Sequence, residues 1–342
     1  MPELNTNENF YNEDCISGCP KHIKDNSVDL IITDPPYGIE GDKLHRHYNR
    51  DEDFVVGGYV EIPAEKYNEF SHKWIIEAER ILKPNGQIYI VSGYTNLYDI
   101  LDALKATKLN EINHIIWKYN FGVYTKTKYI SSHYHILYYE KPGPGRRDFN
   151  RDCRYGPQEK DDNGGSLNYQ DREDVWIINR EYKPGKEKNK NELPSALLKK
   201  MIQYSSSEGD LVCDLFLGGF STAKVAIGLN RHATGFEISE KIFKKKIEEI
   251  KDIKPGNLLH TLRQPKGDVW ENQGKSWTDE EKEKLLHRFN NLMTKNNKSS
   301  TIKILSKEFG RGHWSIEKVL KKNNIKITKT SSNSTLSDFS TG

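Results

Sequence analysis

The sequence is poor in cysteine and methionine and has no long apolar run. Four cysteines, Cys15, Cys19, Cys153 and Cys213, are scattered through 342 residues. They show neither the paired spacing of a metal site nor the density of a disulfide scaffold, so they read as reduced thiols of a cytoplasmic protein. No stretch approaches the length needed to span a bilayer, which argues against a membrane protein. The opening Met-Pro-Glu-Leu-Asn lacks the basic-then-apolar pattern of a secretion signal. A large charge imbalance is also missing, the net charge being +3. That small sum hides an uneven distribution, because residues 275–329 hold fourteen Lys or Arg against six Asp or Glu. The remainder is acidic, and the basic C-terminal part is the one suited to a polyanion. The length accommodates one full α/β domain and a small second one.

What the sequence does have is a short apolar run that ends in two prolines. Leu30-Ile31-Ile32 is followed by Thr33-Asp34-Pro35-Pro36-Tyr37-Gly38. The run reads as a buried parallel strand. Neither proline can donate to a ladder, and Pro35 biases Asp34 away from helix, so the strand must stop there. The chain is held stiff at the carboxyl end of a strand, where open α/β sheets present ligands. Asp34, Pro35, Pro36 and Tyr37 suit one chemistry. An exocyclic amino group on a planar base is a poor nucleophile, because its lone pair is delocalised. The Asp34 carboxylate and the Pro35 carbonyl can accept its two N–H bonds and draw the nitrogen toward tetrahedral geometry. Tyr37 can stack on the base, and Pro36 keeps the loop from relaxing. An ordinary strand-to-turn junction is the plain alternative.

A second element reads Gly-Asp-Leu-Val-Cys-Asp-Leu-Phe-Leu-Gly-Gly-Phe-Ser-Thr over residues 209–222. It is an apolar strand, a glycine pair at Gly218 and Gly219, and a helix starting near Ser221. Glycines at such a turn let the backbone approach a ligand, and the helix N-terminus favours polar or anionic groups. The next strand, Ala233-Thr234-Gly235-Phe236-Glu237, ends in an acid placed to bind ribose hydroxyls.

Together these elements resemble the S-adenosylmethionine-dependent DNA amino-methyltransferases, over roughly residues 9–250. Asp34-Pro35-Pro36-Tyr37 matches the family's catalytic motif. Residues 214–222 match its Phe-x-Gly-x-Gly cofactor loop, with Phe220 where the last glycine usually stands. The order of the two motifs resembles the β group, in which the Rossmann-like sheet is kept and its connections are permuted. Asp-Pro-Pro-Tyr is more typical of adenine N6 methylation; cytosine N4 enzymes more often have Ser in place of the Asp. The resemblance implies S-adenosyl-L-methionine as cofactor, held by Asp14, Cys15, Asp34, Lys190, Leu193, Pro194, Asp214, Phe216, Gly218, Gly219, Ser221 and Glu237. An acid at the place of Asp14 contacts the adenine amino group in the family; a turn-capping Asp is the alternative. The segment Lys190–Pro194 resembles the motif that helps hold the methionine end.

Between these landmarks, Gly38–Pro63 is too long and polar for an ordinary connection and reads as a mobile loop that closes over the extruded base or touches backbone phosphates, a solvated loop with no role being the plain alternative. Ala64–Leu82 has helical spacing and is stopped by Lys83-Pro84-Asn85-Gly86. Strands are expected at 87–91, 112–117 and 135–139, the last two as an antiparallel pair at the sheet's edge, with a helix over 96–106. Residues 118–129 interleave aromatics with lysines, suiting a nucleic-acid face, with Tyr119, Tyr124, Lys126 and Lys128 as candidate DNA contacts. Residues 142–189 fall where the family inserts its target-recognition region, and Arg146, Arg147, Arg151 and Arg154 there could read guanine edges or phosphates. Residues 174–178 read as a strand, and Pro194 opens a helix.

A methyltransferase domain over 1–253 is followed by a linker over 254–275 rich in Pro and Gly. Ser276-Trp277-Thr278-Asp279-Glu280-Glu281 is a strong helix start. Helices near 278–293, 300–309 and 312–322 resemble a Myb-like or helix-turn-helix module over 276–330, with Lys318 and Lys321 on the helix that would meet a groove. Residues 331–342 read as a disordered tail. The fold expected is thus α/β, a Rossmann-like methyltransferase sheet with permuted motif order plus a small all-α domain. The function expected is site-specific transfer of a methyl group from S-adenosylmethionine to adenine N6 in duplex DNA, with no metal. A cytosine-N4 or RNA amino-methyltransferase is one alternative, and a DNA-binding regulator with a vestigial methyltransferase domain is another. A homodimer, a cognate restriction endonuclease and a place at the nucleoid of a prokaryotic or viral system are further expectations.

Overall fold

The computed structural model describes residues 10–36, 62–120, 122, 124–181, 192–265, 270–272 and 277–323. Tyr37, the loop over 38–61, Lys190 and the 331–342 tail therefore lie outside the described residues. The chain divides into two compact units, Met1–Lys266 and Gly267–Gly342.

The first unit is built on an eight-stranded sheet. Its strands are β1 (Phe10–Tyr11), β2 (Val28–Thr33), β3 (Leu82–Ser92), β4 (Asn110–Lys118), β5 (His133–Glu140), β6 (Val175–Ile177), β7 (Leu211–Asp214) and β8 (His232–Phe236), in the order β1-β8-β7-β2-β3-β5-β4-β6. All neighbours are parallel except β5, which runs against both β3 and β4. The carboxyl ends of seven strands thus meet the amino end of β5 along one edge. The apolar run of β2 lies between β7 and β3 and is buried on both faces. Leu30 and Ile32 pack toward α5 (Ser195–Ser205) and α6 (Ser221–Gly228), with α7 (Glu240–Lys251) on the same side. Ile31 packs toward α1 (Cys15–His22), α2 (Tyr67–Ile81) and α3 (Leu97–Lys105). A continuous apolar strand covered by helices on both faces is the arrangement parallel sheets require. The connection leaving β2 leads to β3 on one side, and that leaving β7 leads to β8 on the other. A crevice opens where such connections diverge.

Two expectations change. The β4–β5 pair is not the sheet's edge, because β6 adds in parallel outside β4. Trp176 holds it there: its ring is buried while Val175 and Ile177 are exposed, and its Nε1 donates to the Glu173 carbonyl at 2.8 Å. Residues 254–265, read as the start of the linker, pack onto the first unit. Leu258, Leu259 and Leu262 lie against its core, and Arg263 pairs with Glu159 and covers the Tyr155 ring at 3.8 Å.

The segment from 142 to 181 carries only a one-turn helix, α4 (Leu167–Gln170), besides β6. It is fastened to the last turn of α5. Asn150 Nδ2 donates to the carbonyls of Gln203 and Ser206 at 3.0 and 2.9 Å. Asp171 accepts from Arg154 Nε at 2.8 Å and from the Tyr204 hydroxyl at 2.7 Å, and lies 3.6 Å from Lys200 Nζ. Burial pulls the Lys200 ammonium down to about 8 although Asp171 opposes the shift. Its Nζ sits 4.4 Å from the Trp176 ring.

In the second unit, α8 (Asp279–Met293), α9 (Lys298–Glu308) and α10 (His313–Lys322) form a three-helix module. The helix start predicted from Thr278 is a full capping box with Glu281, and Asn297 caps α9. Leu285, Phe289, Ile302, Leu305, Phe309, Ile316 and Leu320 make the core. Arg311 is buried, paired with Glu281 at 3.0 Å and 4.2 Å from the Trp277 ring. No described helix is long and apolar enough to cross a membrane.

Removing one partner of a buried charge cluster leaves the others uncompensated. Asp171→Asn is therefore expected to lower the urea unfolding free energy by about 3 kcal/mol. Equilibrium denaturation of the variant beside the parent chain checks this.

Candidate active site

The site is built where β2 and β7 end side by side. Thr33, the last residue of β2, is fully buried, and its Oγ1 donates to Asp214 Oδ1 at 3.0 Å. Asp214, the last residue of β7, also accepts from the Phe216 N–H at 3.0 Å and from the Thr222 hydroxyl. Burial pushes its carboxyl up to about 6 against the pull of those three hydrogen bonds. The next residue after Thr33 is Asp34, half-buried, followed by buried Pro35 and half-buried Pro36. Tyr67 in the first turn of α2 lies within electrostatic reach of Asp34. Burial above all, with the charges of Asp34 and Asp99 adding, raises its hydroxyl well above the usual range and keeps the phenol neutral.

The glycine turn follows β7 at once. Gly218 has φ +47°, and its N–H donates to Glu237 Oε2 at 2.9 Å. Gly219 is buried, and the side chain of Glu192 lies over it. Phe220, the departure from the glycine pattern, has φ 62° and ψ 24°. A non-glycine residue in this left-handed region costs on the order of 1–2 kcal/mol. Its ring offsets that strain, being fully buried 5.4 Å from Phe10 and 5.8 Å from Phe243. The ring thus secures a backbone conformation that glycine would adopt freely. Glu237 stands at the tip of β8. Its Oε1 accepts from the Ser239 N–H at 2.7 Å, and burial raises its carboxyl. Each oxygen keeps acceptor capacity for a hydroxyl.

A carboxylate after the central strand thus adjoins a glycine turn flanked by an acid. The sequence of residues 28–249 matches the model of the N6-N4 DNA methylase family. This chain belongs to that family. The methylase is 32% identical over 235 residues to the type II methyltransferase M.HpaI of Haemophilus parainfluenzae, covering 67% of this chain and 70% of that one. It is 31% identical over 281 residues to M.BamHI of Bacillus amyloliquefaciens, covering 78% of this chain and 62%, less than two thirds, of the relative. Its fold is similar to that of the Thermus thermophilus protein TTHA0409 solved with S-adenosyl-L-methionine, with a TM-score of 0.51 and 19% identity over 72% of this chain and 95% of that one.

The other sequence-derived residues of the methylase fall into place unevenly. Asp14 caps α1, its Oδ2 accepting from the Ser17 N–H at 3.1 Å. Cys15 is buried beneath the site, and burial pushes its thiol well up. Leu193 and Pro194 are buried at the start of α5, and Ser221 opens α6. Phe216 turns its ring toward Phe70 and Trp74, at 5.8 and 5.5 Å. Among the described residues, no three His, Cys, Asp or Glu are grouped to hold a metal.

Of the candidate DNA contacts, Tyr124, Lys126 and Lys128 are exposed on the β4–β5 loop, at the same edge of the sheet as Asp34. Neighbouring Tyr129 is 97% exposed. Tyr119 is different: it is buried against Trp117 and Tyr134, with the Arg180 guanidinium 4.8 Å from its ring, so it is packed and not presented. Arg146 and Arg147 lie at the far end of the sheet, next to Glu140, which opposes Gln87 in β3. That is five strand residues, roughly 17 Å, from the carboxyl edge. Arg147 pairs with Glu140 and Arg154 with Asp171, while exposed Arg151 pairs with its neighbour Asp152. Lys318 and Lys321 are exposed on α10. Thr33 and Tyr67 are site neighbours outside the sequence-derived site residues, whereas Glu192 lies within the Lys190–Pro194 segment that the resemblance singles out. Of the first two, only Thr33 carried a signal, as the polar residue closing an apolar strand.

Asp214 sets a pH dependence. Its native value of about 6 lies above the ordinary aspartate value. The native state therefore takes up a proton in that window, and this group's destabilising effect grows as pH rises from 4 to 6. The unfolding free energy of the parent chain minus that of Asp214→Asn is expected to fall by about 2–3 kcal/mol across the window. Urea denaturation of both at pH 4, 5, 6 and 7 measures it.

Proposed function

We propose that this DNA methyltransferase is a permuted, β-group enzyme that methylates the N6 amino group of adenine in duplex DNA. The observation that carries the proposal is the adjacency of the Asp34-Pro35-Pro36 turn to the glycine turn across the Thr33–Asp214 hydrogen bond. S-adenosylmethionine fits the second of these turns: its glycines leave little side-chain bulk before the start of α6, and Glu237 keeps acceptor capacity at the neighbouring strand tip. That cofactor brings an already activated methyl group on a sulfonium. The protein's task is then positioning and electrostatics.

The target adenine leaves the duplex at a cost of a few kcal/mol of unstacking. Asp34 and the Pro35 carbonyl would accept hydrogen bonds from its two N–H groups, turning the nitrogen lone pair out of the ring plane toward the methyl carbon, whose bond to sulfur breaks as the new N–C bond forms and leaves a neutral thioether. Tyr37 supplies the stacking face. The surplus proton on the methylated nitrogen is shed to solvent. Tyr124, Lys126 and Lys128 supply ring and ammonium contacts to the displaced strand. The motif order supports the permuted assignment, because β2 precedes β7 in the chain yet lies beside it in the sheet. The Asp at 34, where N4 enzymes more often have Ser, supports adenine over cytosine. The α8–α10 module acts as a helix-turn-helix domain that adds phosphate contacts through Lys318 and Lys321. The likeness to type II methyltransferases supports a cognate restriction endonuclease as partner.

The test incubates the protein with labelled S-adenosylmethionine and unmethylated DNA, then digests to nucleosides. Label is expected in N6-methyladenosine; label in N4-methylcytosine would reassign the target base. Absence of label on DNA would favour the regulator with a vestigial domain. Asp34→Ala is expected to lower turnover by at least about 10²–10³-fold while cofactor binding persists. Parental turnover in that variant would refute the mechanism. Lys318→Ala with Lys321→Ala is expected to reduce the slope of log DNA affinity against log salt by about 2, measured by titration at several salt concentrations.

A further inference from the structure

The helix α5 begins without a cap of its own. Its N-cap residue is Pro194, which has no side-chain acceptor. The first N–H, that of Ser195, instead donates to Glu181 Oε1 at 2.7 Å. Glu181 is fourteen residues upstream, just beyond β6, so this acceptor comes from another part of the fold. What aims it is also visible. Ile178 N–H donates to the Lys118 carbonyl at 3.1 Å, and Trp117 Nε1 donates to the Ile178 carbonyl at 2.8 Å. The Arg180 guanidinium then lies 5.6, 4.8 and 5.1 Å from the rings of Trp117, Tyr119 and Tyr134. Cation–ring contacts of this kind hold the backbone at 180 in place, and the next side chain reaches α5.

The start of α5 is a wall of the glycine turn. The Glu192 side chain lies over Gly219, and Leu193 and Pro194 behind it are buried. Leu193 belongs to the same buried cluster as Phe220. A shift of this helix start moves the surface that faces the backbone of the turn.

We infer that Glu181 is a positioning residue for the methyl donor: as a remote cap on Ser195, it holds the 192–195 turn in register with Gly218-Gly219. The inference rests on reading that turn as the cofactor loop. Because Glu181 does not touch the transferring atoms, its loss acts on cofactor retention and not on the transfer step. Removing a helix cap weakens the structure it holds by a factor corresponding to about fivefold.

Three variants test this: Glu181→Ala, Glu181→Gln and Ser195→Pro. Proline is tolerated at the first helical position and deletes the donor N–H without touching Glu181. Glu181→Ala is expected to raise the dissociation constant and KM for S-adenosylmethionine about fivefold, with kcat at saturating cofactor and KM for DNA within about twofold of the parent. Glu181→Gln keeps an acceptor oxygen and is expected to stay near the parent. Ser195→Pro is expected to reproduce Glu181→Ala, and the double variant to be no worse than either alone. Unchanged cofactor affinity in Glu181→Ala, or fully additive effects in the double variant, would overturn the capping role. A parent chain that does not bind S-adenosylmethionine would instead overturn the cofactor reading itself.

Discussion

One hydrogen bond joins the two halves of the chemistry. Thr33 Oγ1 and Asp214 Oδ1 meet at 3.0 Å across the carboxyl ends of β2 and β7. The two turns that the family resemblance singles out leave from these two ends. The proline-stiffened Asp34 turn departs from one strand, and the glycine turn from the other. Asp214 accepts from Thr33 and Thr222 hydroxyls and from the Phe216 N–H, so its position is fixed by three donors in a setting where an unmet acceptor is costly. Burial in turn keeps its carboxyl near the point of protonation, which makes the junction rigid in geometry yet responsive to pH.

The glycine turn shows how a local irregularity is sustained by distant packing. Phe220 adopts a backbone conformation that disfavours side chains, and its ring is gripped by Phe10 from the sheet's edge strand and Phe243 from α7. Strain at one residue persists because the surroundings over-determine it.

The Asp34 turn and the glycine turn were legible in the sequence as breaks after strands because both are local signals. An apolar run broken by two prolines, or followed by two glycines, needs no knowledge of distant residues. The three-helix module was legible for the same reason: Thr278 and Glu281 form a cap within four residues. Long-range partners were not legible. Thr33 and Asp214 are 181 residues apart, and nothing near Ser195 announces that Glu181 will cap it. Charge pairing was not legible either: Arg147 and Arg154 each meet a carboxylate that lies well away in the sequence, because pairing depends on which acids the fold brings near. The departure at Phe220 was visible in the sequence, but the sign of its φ and the rings that hold it were not.

The reversed strand β5 has a consequence for how such a chain diversifies. Because β4 and β5 are paired from Lys118↔His133 downward, the chain leaves and re-enters the sheet at adjacent points on one edge. Residues 124–130, exposed but for half-buried Thr125, can therefore lengthen, shorten or be exchanged between lineages without altering any crossover or strand register. Such a loop is the cheapest place for inherited variation, since its two roots, Tyr119 and Ser132, stay paired. Changes in the exposed rings and ammoniums can accumulate there while the junction of β2 and β7 stays as it is.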